Sequence, residues 1–178
     1  MHGREISIKT ALKWVRQANQ IIYRMANEKP ECMGMGTTMT FLYFMDKHAL
    51  LAHVGDSRCY RIRDGRIMQL TKDHSLVAEL VRIGEITPEQ ARNHPYRNII
   101  TRALGTDDYV AVDAQDIPVE ENDVYLLCSD GLSNVVTDQE ILYEVIHGGE
   151  DEASCVLAAV PNLVHLEGCE PYYEEDDG

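Results

Sequence analysis

The spacing of apolar residues predicts one long helix followed by a series of short strands. Over residues 10–28 the apolar positions recur at helical intervals on one face: Leu12, Val15, Ala18, Ile22 and Met25. Segments rich in aromatic, apolar and β-branched residues then follow at 37–46, 49–54, 58–63 and 66–70. Asp64 and Gly65 separate the last two segments, and this dipeptide favours a tight hairpin. We therefore expect an antiparallel meander after the first helix.

The second half of the chain contains both helical and strand-like spacings of apolar residues. The predicted elements here are helices at 76–83, 87–94 and 138–147 and strands at 109–117 and 123–129. Capping boxes formed by Thr87 with Gln90 and by Thr137 with Glu140 mark the starts of the second and third of these helices. Glycines at 148 and 149 are expected to end the last one.

Composition indicates a single domain with a core. The chain has 178 residues, of which 44% are hydrophobic. It contains no apolar run of the roughly 18 residues that a membrane helix needs, and its N-terminus lacks the apolar segment of a secretory signal. We therefore expect a cytoplasmic protein without a membrane partner. The five cysteines form no C-x-x-C pair, so we expect reduced packing residues.

Charge is distributed unevenly around a net value of -14. All 16 lysines and arginines lie at or before Arg102, whereas two thirds of the 30 aspartates and glutamates lie after it. An acidic C-terminal part of this kind repels nucleic acid, so no nucleic-acid partner is expected. It either attracts divalent metal or forms a solvated acidic surface, and for most of these carboxylates we favour the surface. Residues 169–178 are predicted to form an acidic, disordered tail.

Two other phosphate chemistries do not fit the motifs. A cysteine phosphatase with Cys128 as nucleophile would need an arginine at the position of Asn134. A serine nucleophile at Ser129 would need glycine at the position of Leu127. The glycine-rich segment at 34–38 lacks the lysine of a phosphate-binding loop and is better explained as a turn that precedes a strand.

Two aspartates stand at the ends of predicted strands. Asp130 follows the apolar run "VYLLCS" and Asp56 follows "ALLAHVG". Carboxylates held there suit hard cations such as Mg²⁺ or Mn²⁺, which prefer oxygen ligands. An aspartate in these positions also caps a turn through its own backbone amides, and the residues alone leave both interpretations open.

The order of several motifs resembles the PP2C-type metal-dependent serine/threonine protein phosphatases in a bacterial form. The motifs that carry the resemblance are "GMGTT", "VGDSRCYRIRDG", "LTKDHSLV", "GEITPEQARNHPYRNIITRALG" and "LLCSDGLSN". The resemblance implies an α+β fold, an α-β-β-α sandwich of two antiparallel sheets. It also implies hydrolysis of phosphoserine and phosphothreonine esters by a metal-activated water, without a covalent intermediate.

The family resemblance also implies site residues, a cofactor and partners. Asp130 matches a bridging metal ligand, and Asp56 matches a ligand of a third, more loosely bound ion. Mn²⁺ or Mg²⁺ is the implied cofactor, phosphorylated Ser/Thr proteins are the implied substrates, and a cognate Ser/Thr kinase is an implied partner in signalling. Residues 75–100 match a flap beside the active site. His74 and Arg102 lie in matching motifs, but nothing in the residues favours catalysis over packing, so no catalytic residue is assigned.

The sequence departs from the family pattern at both ends. Nothing before residue 10 matches the Asp-Gly-x-Gly-Gly motif, and no Asp-Asn pair follows Gly168. We therefore expect residues 1–168 to form a partial PP2C-type domain that is weak or inactive alone. The alternative is a non-catalytic phosphoprotein-binding or pseudophosphatase module that uses Arg58, Arg61 and Arg63. We favour the simpler explanation, in which these arginines belong to an ordinary solvent-facing strand.

Overall fold

A computed structural model describes residues 6–147 and the backbone of residues 156–159. The helices are α1 (Ile8–Glu28), α2 (Leu76–Arg82), α3 (Pro88–Arg92), α4 (Asp130–Ser133) and α5 (Asp138–His147), with a 3-10 helix over Pro30–Cys32. The strands are β1 (Met39–Phe44), β2 (His48–Val54), β3 (Arg58–Arg63), β4 (Arg66–Gln69), β5 (Asp113–Pro118), β6 (Val124–Cys128) and β7 (Val156–Ala159).

The strands form two antiparallel sheets, one in the order β1-β2-β5 and the other in the order β4-β3-β6-β7. The hairpins β1-β2 and β3-β4 confirm the local pairings expected from the sequence. The single meander is wrong, because β2 pairs with β5 and β3 pairs with β6. The short turn between β2 and β3 therefore carries the chain from one sheet to the other.

Three apolar clusters join these elements into four layers. Leu51 of β2 and Tyr125 of β6 belong to the cluster between the sheets. Val15 of α1 packs with alternate residues of β2 on the outer face of the first sheet. Ile141 of α5 packs with Tyr60 and Leu126 on the outer face of the second sheet. The structure confirms the expected α-β-β-α sandwich.

The helix-starting signals of the sequence are confirmed in detail. Thr87 Oγ1 accepts from the Gln90 amide at 3.2 Å, and the Thr87 amide donates to the Gln90 side chain at 2.7 Å. Thr137 and Glu140 exchange the same pair of bonds at the start of α5. The helix ends predicted at 148 and 149 and the tail predicted at 169–178 lie outside the described residues.

The strand predicted at 109–117 begins later than expected. Residues 109–112 are irregular and β5 begins at Asp113. The preceding loop is held instead by Asn19, a buried residue of α1. Its Nδ2 donates to the Asp107 and Asp108 carbonyls, and its Oδ1 accepts from Gly105 N. Tertiary bonding thus outweighs the local strand preference.

Within the described part of the chain, none of the helices combines the length and hydrophobicity that crossing a bilayer requires.

Candidate metal site

The register of β3 and β6 brings the two predicted metal ligands to one end of the second sheet. Arg58, the first residue of β3, pairs with Cys128, the last residue of β6. Because the strands are antiparallel, the residues before Arg58 and after Cys128 leave the sheet on the same side. Asp56 and Asp130 lie in these two segments, so they interact although they are distant in sequence.

Asp56 lies in the turn that links the two sheets. The preceding residue, Gly55, has a φ of 116°, a left-handed value that glycine adopts without steric cost. A Cβ on Gly55 would approach Cγ2 of Thr38 to 2.4 Å. The hydroxyl groups of Thr38 and Ser57 are 2.9 Å apart and hydrogen-bonded. The turn is therefore packed closely against the chain segment that precedes β1.

The electrostatic environment of Asp56 opposes its negative charge. Partial burial raises the pKa of the Asp56 carboxyl, and the negative charge of Asp130 raises it further. A backbone hydrogen bond and the charge of Arg58 oppose the shift in the pKa of Asp56 without cancelling it. Nε and Nη2 of Arg58 are themselves bonded to Asp73. A divalent cation between the two carboxylates would relieve this repulsion.

Asp130 is presented by a strand and a short helix. The buried strand β6 ends at Cys128, Ser129 is the N-cap residue, and Asp130 is the first residue of α4. The Asp130 side chain is exposed and accepts one long bond, 3.4 Å, from Nδ2 of Asn134. Most of its acceptor capacity therefore faces solvent, as a metal ligand requires.

This donor set fits part of a divalent metal site. Two carboxylates at the end of one sheet have the oxygen chemistry that Mg²⁺ and Mn²⁺ prefer. Among the described residues, however, no group of three or more His, Cys, Asp or Glu side chains is placed to hold an ion. The pair can contribute two ligands, and a complete coordination shell needs water or further groups.

His74 lies directly behind the Asp56 turn and is nearly inaccessible, with 4% relative exposure. Its Nδ1 accepts a hydrogen bond from the Gly55 backbone amide at 3.0 Å. On the other side of the ring, Nε2 is 3.2 Å from Oδ2 of Asp113. Arg102 donates to Oδ1 of the same carboxylate at 3.1 Å. His74 and Arg102 are thus held in one network with Asp113, and of these three side chains His74 is the buried one.

A second buried histidine supports this network. The rings of His53 and His74 are 4.8 Å apart between centroids. Burial lowers the pKa of His53. The neutral ring of His53 donates from Nε2 to the Lys72 carbonyl at 3.1 Å, and Nδ1 accepts from the Thr40 hydroxyl at 2.9 Å. The histidine pair therefore ties β2 to the segment that follows β4.

Comparison with known proteins identifies the family of this chain. The family model for protein phosphatase 2C matches residues 7–161. The chain belongs to the protein phosphatase 2C family. The serine/threonine phosphatase stp of Listeria monocytogenes is 43% identical over 129 residues, which cover 72% of this chain and 51% of that protein. The chain thus spans about half the length of the curated stp relatives it matches.

Solved structures of phosphatase 2C relatives support the same architecture. The crystal structure of phosphatase Stp1 from Staphylococcus aureus has a TM-score of 0.76 and 40% identity, covering 83% of this chain and 60% of that one. The catalytic domain of PstP in complex with two manganese ions has a TM-score of 0.70 and 36% identity, covering 82% and 60%.

The segment predicted to match the family's flap, residues 75–100, contains α2 and α3. Its two ends are joined at the base by a bridge between Ser75 and Ile100. The Leu76 amide also donates to the Ile99 carbonyl at 2.9 Å, and the Thr101 amide to the His74 carbonyl at 2.8 Å. His74 therefore lies where this segment leaves the sandwich.

The arginines proposed for the alternative binding module are largely occupied. Arg58 is paired with Asp73, and Arg63 is paired with the buried Asp123 and with Glu120. Arg61 donates weakly to the Met68 sulfur at 3.9 Å. Two of the three guanidinium groups are thus neutralised by carboxylates of the same chain, and this gives no support to a phosphoprotein-binding surface on β3.

Sequence reasoning missed Asp113 and His53 in the surroundings of the site. Burial alone would raise the pKa of Asp113, but His74 and Arg102 outweigh that effect and hold the pKa below its usual value. Asp113 has no recognisable motif, because it lies at the start of an edge strand of mixed polarity. His53 lies within the apolar run of β2, and a polar residue in that apolar run was the signal from which a role for His53 could have been predicted.

Proposed function

We propose that this chain is part of the catalytic domain of a serine/threonine protein phosphatase and supplies Asp56 and Asp130 as ligands to Mg²⁺ or Mn²⁺. The observation that carries the proposal is the convergence of these carboxylates at the end of β3 and β6, where their charges repel. Turn capping alone would not require two carboxylates to approach one another. Family membership and the manganese complex of PstP point in the same direction.

In this proposal each part of the site has a limited task. A bound divalent cation would activate the water that attacks the phosphate ester. Asp130 would hold its carboxylate in place because its backbone is fixed between β6 and α4. Asp56 would act from the rigid turn after β2, and its repulsion from Asp130 would favour cation binding at neutral pH. The water oxygen would bond to phosphorus as the bond between phosphorus and the serine or threonine oxygen breaks. That oxygen would take up a proton from the water, so that inorganic phosphate and a free hydroxyl side chain are released.

The substrate class follows from family membership. We propose phosphoserine and phosphothreonine proteins as substrates, a cognate kinase as the source of those phosphates, and a signalling role in the cytoplasm. The acidic C-terminal part disfavours nucleic acid as a partner. Because the described residues hold two candidate ligands and no group of three, we propose that hydrolysis by these residues alone is weak.

Hydrolysis of a phosphothreonine peptide in the presence of Mn²⁺ tests this function. We expect slow release of phosphate that depends on Mn²⁺ and is removed by chelation. Asp130→Asn should lower the rate by roughly tenfold or more, the scale seen when metal-site interactions are lost. Asp64→Asn is the matched control, because Asp64 lies in the exposed hairpin turn between β3 and β4 and should leave the rate unchanged.

Two outcomes would reject parts of the proposal. Hydrolysis that Asp130→Asn leaves unchanged would show that this carboxylate is no ligand. Peptide binding without phosphate release, at any Mn²⁺ concentration, would instead support the non-catalytic module. Parallel measurement of Mn²⁺ binding by water proton relaxation separates loss of the metal site from loss of the chemical step.

A further inference from the structure

The Asp56 turn is bonded to His74 through both backbone groups of Gly55. The Gly55 amide donates to Nδ1 of His74 at 3.0 Å, and the His74 amide donates to the Gly55 carbonyl at 2.8 Å. Gly55 is adjacent to Asp56 in the chain, so its peptide plane sets the direction in which the Asp56 side chain leaves the turn. His74 therefore contacts the backbone that carries Asp56, a proposed metal ligand.

The opposite side of the His74 ring is fixed by charge. Because Nδ1 accepts from Gly55, the neutral ring carries its proton on Nε2 and donates it to Oδ2 of Asp113. Nη1 of Arg102 lies 3.1 Å from the same nitrogen and donates to the other oxygen of Asp113. The carboxylate thus selects one tautomer, and this tautomer leaves Nδ1 available to the turn.

Packing removes the remaining freedom of the ring. His74 is buried against the ring of His53, and its carbonyl accepts from the Thr101 amide at 2.8 Å. Thr38 lies against the other side of the turn, where it leaves no space for a Cβ on Gly55. The turn is consequently held between Thr38 and His74, and a shift of the His74 ring would be transmitted to Gly55.

We propose that His74 is a positioning residue for Asp56: its Nδ1 holds the Gly55 peptide so that the Asp56 carboxylate is directed toward the cation shared with Asp130. Asp113 acts one step further away by fixing the tautomer of His74. This inference rests on the proposed function, because it requires Asp56 to be a metal ligand. It assigns to His74 a role in metal affinity that requires no contact with substrate.

Two amide substitutions separate positioning from simple packing. In His74→Asn the side-chain oxygen lies close to the place of Nδ1, so the bond to Gly55 is retained. In His74→Gln the polar atoms lie near the place of Nε2, so the bond to Asp113 is retained and the bond to Gly55 is lost. Both variants remove an aromatic ring and both remain polar and uncharged, so a role in packing alone predicts similar effects.

Binding of Mg²⁺ to the full chain, followed through the amide signals of residues 55–57 in ¹⁵N-labelled protein, is the test. We expect His74→Asn to bind within about twofold of the unsubstituted chain and His74→Gln to bind roughly threefold to tenfold more weakly. In the metal-free proteins, the amide of residue 55 should exchange with solvent faster in His74→Gln than in His74→Asn. His48→Gln is the control, because His48 is exposed at the opposite end of β2 from the turn and should leave Mg²⁺ affinity unchanged.

The outcomes distinguish this inference from the proposed function. If the unsubstituted chain shows no Mg²⁺-dependent change at residues 55–57, the metal site itself is rejected. If that change occurs but the two His74 variants bind equally, the positioning role is overturned. Should either variant fail to fold, the tautomer of His74 in the unsubstituted chain decides: ¹⁵N spectra must show a protonated Nε2, and a protonated Nδ1 overturns the inference.

Discussion

Replacing Asp56 with Asn is expected to change stability in opposite directions with and without metal. The raised pKa of Asp56 means that the folded state binds its proton more tightly than the unfolded state. The stability that this provides is present at low pH and is lost as the pH rises through the folded pKa. At pH 7 the ionised carboxyl therefore destabilises the metal-free protein, and a neutral amide of the same shape should remove that effect.

The magnitude follows from the exposure of the pair. Asp130 is exposed and Asp56 is partly buried, so their repulsion at low ionic strength should be that of a surface pair, about 0.5–1 kcal/mol. For a chain of this length, Asp56→Asn should raise the melting temperature in chelator by about 1–4 °C. With Mg²⁺ at about ten times its dissociation constant, the unsubstituted chain should gain about 1.4 kcal/mol that the variant does not.

Thermal unfolding followed by circular dichroism, in chelator and then in Mg²⁺, measures both effects. Asp64→Asn serves as the control for the general loss of a negative charge and should behave like the unsubstituted chain in both buffers. If Asp56→Asn is less stable in chelator, the carboxylate stabilises the turn by itself and the reasoning fails. If Mg²⁺ stabilises Asp56→Asn as much as the unsubstituted chain, Asp56 is no ligand.

Three further predictions concern the sandwich. Asp123 is buried and bonded to Arg63, and Asp123→Ala is expected to lower the free energy of unfolding, measured in urea, by about 3–5 kcal/mol. Asp116 is exposed, and Asp116→Asn is expected to lower the free energy of unfolding by less than about 1 kcal/mol. Equal losses of stability in Asp123→Ala and Asp116→Asn would contradict this prediction. Gly65→Ala should cost about 1 kcal/mol for its left-handed φ. Gly55→Ala should cost about 1–3 kcal/mol more, because its Cβ would overlap Thr38, and similar melting temperatures for the two variants would refute the clash. Burial alone would raise the pKa of Asp123, but its hydrogen bonds outweigh that effect and lower the pKa. The stability that ionised Asp123 provides should therefore be lost as the pH falls below about 4. In pH-dependent unfolding, Asp123→Ala should lose less stability toward acid than the unsubstituted chain does.

Local patterns predicted the elements well because they depend on short sequence intervals. The helical period gave α1, and the Asp64-Gly65 pair gave the hairpin, where both residues have positive φ. The helix α4 was missed because "DGLS" has the composition of a turn. The passage of the chain from the first sheet to the second between β2 and β3 could not be predicted from periodicity, because it is decided by pairing between strands that are distant in sequence.

The candidate site was predicted only in part. Asp56 and Asp130 were identified from their position at strand ends and from the family resemblance, and the structure brings them together. That they bind metal stays a prediction. His74 was noticed but received no role, because its bonds to Gly55 and Asp113 join three segments whose contact no local pattern encodes.

The pairing of β3 with β6 has a mechanical consequence for the proposed ligands. Asp56 lies just before β3 and Asp130 just after β6, so the backbone ladder that ends at Arg58 and Cys128 sets the spacing of the two segments that carry the carboxylates. The side chains of Leu51 and Tyr125 lie between the sheets and contribute no bond to that ladder. Conservative exchanges among such interior side chains should therefore change the stability of the sandwich while the ligand spacing is preserved.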